Sequence, residues 1–132
     1  MPKQYRVLFL LLVCLVLNIS VASARFKGAR ESIAVEDEGV KEAARLVMER
    51  INKSNLSERE LMLVEIKEAE YQVVQGLKYF LHLIVADTDC SKNQSTKKCK
   101  LDESRPYRYC GAEILQQEWL RRIKIKFQCN SE

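Results

Sequence analysis

The hydrophobic pattern changes period once along this chain, and that change limits the folds open to it. Within residues 34–52, Val40, Ala43, Ala44, Val47, Met48 and Ile51 recur at spacings of three and four. Such spacing lines one face of an α-helix with apolar side chains. Glu36, Asp37 and Glu38 lie in or near the first turn, where the positive end of the helix dipole favours acidic groups. A polar, turn-forming run, NKSNLSE at 52–58, ends the helix, and beyond it apolar residues repeat at every second position. That is the period of a half-buried strand. Residues 61–74 are expected as one strand with Met62, Val64 and Ile66 on its apolar side. Gln75 and Gly76 supply a turn, since glycine accepts positive φ without steric cost. Leu77, Tyr79, Leu81, Leu83 and Val85 form the returning strand. Residues 87–109 are polar and read as an excursion tied by a disulfide. A strand at 112–116, a turn at 117–119 and a strand at 120–129 follow, the last alternating Ile123, Ile125 and Phe127 with Lys124, Lys126 and Gln128. One helix followed by about four antiparallel strands is an α+β layout with the helix on one sheet face.

The chain's start has a different character. Lys3 and Arg6 precede an apolar run at 7–17, and Ala22-Ser23-Ala24 places small residues where signal peptidase reads them. The run falls short of the about 20 apolar residues that span a bilayer. Residues 1–24 are therefore expected to be a signal peptide, and residues 25–132 one secreted domain. The leader carries two of the 22 basic residues and none of the 18 acidic ones, so the domain has a net charge of +2. That balance is too mild and too mixed for nucleic-acid binding. No membrane association is expected once the leader is gone, because the one helix needs its apolar face for the core.

Of five cysteines, Cys14 lies in the leader, and Cys90, Cys99, Cys110 and Cys129 remain. An even number in a short secreted chain reads as disulfides, with three pairings open. Each bond would stabilise the fold by about 2–4 kcal/mol. No CxxC pair exists and His82 is the only histidine, so neither a metal nor another cofactor is implied. His82 falls on the opposite strand face from Leu81 and Leu83, beside Lys78 and Phe80. With no thiol or second histidine to partner it, no enzyme activity is expected.

The run Gln72-Val73-Val74-Gln75-Gly76 sits at the first hairpin turn. Trp119, between Gln116-Gln117-Glu118 and Arg121-Arg122, is expected exposed at the second. Two hairpin tips and an N-terminal arm can form a rigid convex edge that enters a cleft without offering a cleavable bond. Gly76 lets backbone approach backbone, Val73 and Val74 give apolar contact, and Gln72 anchors the loop. Trp119 is the kind of large side chain that dominates interfaces.

Four features at compatible spacings resemble the cystatins, inhibitors of papain-like cysteine proteases, and among them the secreted, disulfide-bonded type 2 class. They are Gly28 eleven residues before Gly39, the QVVQG run, Trp119 nine residues after Cys110, and the order of the four cysteines. The resemblance covers essentially all of residues 26–129. It implies a cystatin-like fold, with one N-terminal helix on a curved antiparallel sheet of four to five strands. It also implies the pairing Cys90–Cys99 and Cys110–Cys129, and a reversible, competitive inhibitor of cathepsin L- or B-type enzymes acting as a monomer. Gly28, Gln72, Val73, Val74, Gln75, Gly76 and Trp119 would make the protease contacts.

Two departures stand out. Lys27 precedes Gly28 where the family carries apolar residues, which suits a cathepsin B-like pocket better than a cathepsin L-like one. Glu118 stands where the family has proline before the tryptophan. The QVVQG loop is therefore expected to dominate. Asn55, after the helix, resembles the position through which some cystatins inhibit legumain. It also lies in a glycosylation sequon, as do Asn52 and Asn93. The alternative to inhibition is a binding module on the same fold, similar to the pro-region of cathelicidins.

Overall fold

The computed structural model describes residues 3–24, 28–92 and 98–131. Its elements are α1 (Lys3–Ala24), β1 (Glu31–Ser32), α2 (Glu38–Lys53), β2 (Arg59–Val74), β3 (Gly76–Ser91), β4 (Arg108–Gln117), a 3-10 turn (Glu118–Leu120) and β5 (Arg122–Ser131). The five strands form one antiparallel sheet in chain order, β1-β2-β3-β4-β5. This is the expected α+β architecture, with α1 as an additional helix over residues 3–24. Among the described residues no helix is long and apolar enough to cross a membrane.

Helix α2 covers the sheet with the stripe read from the sequence. Val40, Ala43, Ala44, Val47, Met48 and Ile51 are all buried. The helix begins at Glu38 rather than at residue 34, because Asp37 caps it. The Asp37 carboxylate accepts from the Gly39 and Val40 amides at 2.8 and 3.3 Å, satisfying donors that have no partner within the helix. At the other end the Ser54 amide and hydroxyl both donate to the Ile51 carbonyl.

Strand β2 corrects the expected register. Leu61 and Leu63 face the core, while Met62 and Val64 are 38% and 42% exposed. The pairing with β3 shifts between Arg59 and Leu61, between Leu63 and Glu65, and between Ile66 and Glu68. An extra residue at a bulge turns the following side chains to the other face. The core-facing set thus runs Leu61, Leu63, Ile66, Ala69, Tyr71, which no strict period of two describes. Strand β3 has no such break before its middle, and Tyr79, Leu81, Leu83 and Val85 are buried as expected, with Leu77 partly buried.

The polar excursion is shorter than 87–109, since β3 continues to Ser91 and β4 starts at Arg108. Asp87 and Thr88 look like loop residues but are 2% and 1% exposed. The Asp87 carboxylate accepts from Arg105 at 3.2 Å and Arg108 at 3.1 Å, and the Thr88 hydroxyl donates to the Glu60 carbonyl. Buried polar groups with such partners are compatible with a strand interior. Disulfides join Cys90 to Cys99 and Cys110 to Cys129, the pairing implied above. The second hairpin also differs in its limits, with β4 extending over Arg108–Gln117 and β5 starting only at Arg122.

Two tyrosines give the fold an alkaline limit. Burial, and then the charge of Asp37, raises the Tyr79 pKa above 10.0. The hydrogen bond to Glu31, and then its charge, raises that of Tyr71. A phenol whose folded pKa lies above its unfolded value keeps its proton in the fold after the unfolded chain has lost it. Its stabilising contribution is therefore complete below about pH 10 and lost as pH rises through the folded value. Denaturant midpoints should hold steady to about pH 10 and then fall. In Tyr79→Phe that fall should be shallower; an identical profile would exclude the Tyr79 contribution.

Candidate functional site

One end of the sheet gathers the segments singled out in the sequence. At the first hairpin Val74 and Gly76 oppose each other directly, leaving Gln75 alone at the turn. Gly76 has φ of +126°, and a Cβ there would lie 2.5 Å from the Gln116 carbonyl oxygen. Both the backbone conformation and the approach of the second hairpin would strain any side chain at this position. The two hairpins are further joined by Gln117, whose Nε2 donates to the Gln75 carbonyl at 2.8 Å.

The arm meets the same end. Gln72 Nε2 donates to the Gly28 carbonyl at 2.7 Å, and a Cβ on Gly28 would stand 2.6 Å from the Val73 carbonyl oxygen. Gln72 therefore holds the arm rather than only bracing its own loop. Arg25, Phe26 and Lys27 lie outside the described residues.

The side chains left outward include large apolar ones beside the polar Gln75, Glu118, Arg121 and Arg122. Val73 is 59% exposed and Trp119 64%, with Leu120 and Ile123 also exposed. Val73, Leu77, Gln116 and Ile123 form the last row that crosses all four strands β2–β5, with only Val74–Gly76 and Gln117–Arg122 paired beyond it. Ile123 shares a face with Ile125 and Phe127 but sits at the end of the edge strand, so it is not covered as they are. Trp119 rides on the 3-10 turn, which the Arg121 amide closes onto the Glu118 carbonyl at 3.0 Å. Arg121 itself is left-handed, with φ of +47°. Glu118 is thus fixed through its backbone although it lacks the stiffness of proline.

Gln117 was legible only as a turn residue, because its contact with Gln75 spans 42 positions and leaves no local pattern. Asn55 is exposed at the opposite end of β2, away from this edge. Its loop is held by Lys92, whose Nζ donates to the Ser54 carbonyl. Asn52 is half-buried, and its amide both donates to and accepts from the Leu61 backbone at 3.0 and 2.8 Å. A glycan on Asn52 would have to displace that pairing, whereas Asn55 is open; Asn93 lies outside the described residues. His82 is exposed on the sheet face away from α2, and no group of three acidic, histidine or cysteine residues that could hold a metal occurs among the described residues.

The family model for the cystatin domain matches residues 28–119, from the arm glycine to the tip tryptophan. This chain belongs to the cystatin family. Cystatin-1 of Chilobrachys guangxiensis is 34% identical over 113 residues, covering 82% of this chain and 84% of the relative. Cystatin cpi-1 of Brugia malayi is 31% identical over 113 residues, covering 83% and 89%. The crystal structure of Al-CPI superposes with a TM-score of 0.75 at 26% identity, covering 80% of this chain and all of that one. The two disulfides of this cystatin are consistent with the type 2 class. Cystatins generally bind cysteine proteases, and they are inhibitors rather than enzymes.

Proposed function

We propose that this cystatin is secreted after removal of residues 1–24 and acts as a monomeric, reversible, competitive inhibitor of papain-like cysteine proteases. One observation carries the reading: Gly28, the Gln72–Gly76 hairpin and the Trp119 turn converge on one end of the sheet, joined by the side-chain amides of Gln72 and Gln117. A preformed edge loses little conformational freedom on binding, and Val73 and Trp119, 59% and 64% exposed, offer apolar contact among the polar tip residues, as the core of an interface requires. Gln72, Val73, Val74, Gln75 and Gly76 supply the central contact, with Gly28 and Trp119 flanking it. Titration of papain and a cathepsin L-like enzyme with the secreted protein should show reversible inhibition that rising substrate overcomes. Full protease activity in the presence of correctly folded protein would favour a non-inhibitory binding module instead.

A second activity is supported by Asn55, which is exposed on a loop pinned by Lys92 and remote from the wedge. The loop suits an asparaginyl endopeptidase such as legumain. Asn55→Ala should abolish legumain inhibition and leave papain inhibition unchanged, because the two loops lie at opposite ends of β2. Equal inhibition of legumain by wild type and variant would remove this reading, as would a glycan found on every Asn55.

A further inference from the structure

The arm is held to the sheet by more than the bond at Gly28. Strand β1 is only two residues long, too short a ladder to fix the arm by backbone pairing alone. Arg30 lays its guanidinium over the Phe80 ring, 3.6 Å from the centroid, and its Nε donates to Glu70 at 3.2 Å. Glu70 and Phe80 are direct partners across β2 and β3, so one side chain engages two adjoining strands. The next residue engages the other face: the Tyr71 hydroxyl donates to Glu31 at 2.7 Å. Successive residues of an extended chain point to opposite faces, so Arg30 and Glu31 clasp the β2 edge between them. The Ile33 amide, donating to Ala69 at 3.1 Å, continues the attachment. The pairing of Glu31 with Tyr71 and Ser32 with Glu70 then carries the chain back to Gly28 beside Val73.

We propose that Arg30 is a positioning residue for inhibition: its clasp on Phe80 and Glu70 holds Gly28 against the first hairpin before a protease arrives. The role rests on the inhibitory reading given above. A lone exposed ion pair or cation–π contact is weak. Combined on one side chain against rigid strand partners, the two reduce the ordering that the arm must undergo on binding.

The test compares secreted wild type with Arg30→Ala, Arg30→Lys, Gln72→Ala and the Arg30→Ala/Gln72→Ala double variant. Papain inhibition is measured together with hydrogen exchange at the Ile33 amide of the free protein. Arg30→Ala should speed that exchange and weaken inhibition about tenfold, and Arg30→Lys should recover part of both. The double variant should lose less than the product of the single losses, because both side chains act through Gly28. Unchanged exchange and inhibition in Arg30→Ala would overturn the proposal, and so would fully multiplicative losses. If wild type does not inhibit while exchange still responds to Arg30, the inhibitory reading falls, and the clasp is a structural contact only.

Discussion

Gly76→Trp should weaken inhibition of papain by about a hundredfold or more, the loss expected when the centre of an interface is misplaced. Three effects act together. The φ of +126° is one that side-chain-bearing residues rarely adopt. A Cβ at 2.5 Å from the Gln116 carbonyl oxygen must push the two hairpins apart, which also stretches the bond from Gln117 to Gln75. The indole then enlarges a tip that has to enter a cleft. Gly76→Ala keeps the first two effects without the bulk, so its loss should be smaller but measurable. Because the tip lies beyond the buried rows of the sheet, both variants should fold with both disulfides formed, which thermal unfolding and thiol titration can verify. A folded Gly76→Trp protein that inhibits like wild type would place the protease contact elsewhere on the molecule.

Sequence period alone was a good guide where one face of an element is uniformly covered. All six apolar positions of α2 and the alternation of β3 from Tyr79 to Val85 are buried as their spacing implied. It failed where geometry interrupts the period. The bulges in β2 hand the core to Leu61 and Leu63 and expose Met62 and Val64, and a bulge leaves no residue type that marks it here. Composition misled at Asp87 and Thr88, whose polarity suggests a loop. Their burial depends on Arg105, Arg108 and Glu60, partners 18, 21 and 28 positions away. The candidate site divides in the same way. Gly28, the QVVQG run and Trp119 could be picked out because, together with the cysteine order, they resemble the cystatin pattern at compatible spacings. The side chains that tie them together, Gln117 and Arg30, are ordinary polar residues whose partners lie 42 and 40 positions away. Nothing local distinguishes them from a solvated surface.

Stability and inhibition should separate cleanly, and Leu81→Ala is the variant that would show it. Leu81 is 1% exposed, in the cross-strand row Ala69–Leu81–Ala112–Phe127. Its direct neighbours in that row are both alanines, buried at 6% and 5% exposure, so neither has a side chain that can swing into the space a truncation leaves. The stripe of α2 closes the same cluster from the other side. Truncating a buried leucine costs about 2–5 kcal/mol, with the larger losses where the cavity cannot collapse. The upper half of that range is expected here. In a domain near this size each kcal/mol lowers the melting temperature by about 4–8 °C, so the change should be plain in a thermal melt. The row carrying Leu81 is separated from the Val73–Leu77–Gln116–Ile123 row by the Tyr71–Tyr79–Ile114–Ile125 row. At a temperature where Leu81→Ala is still folded, papain inhibition should therefore stay within about twofold of wild type, as expected for sites without shared partners. A fall in inhibition parallel to the fall in stability would mean that the wedge is not a rigid edge but depends on the core beneath it for its shape.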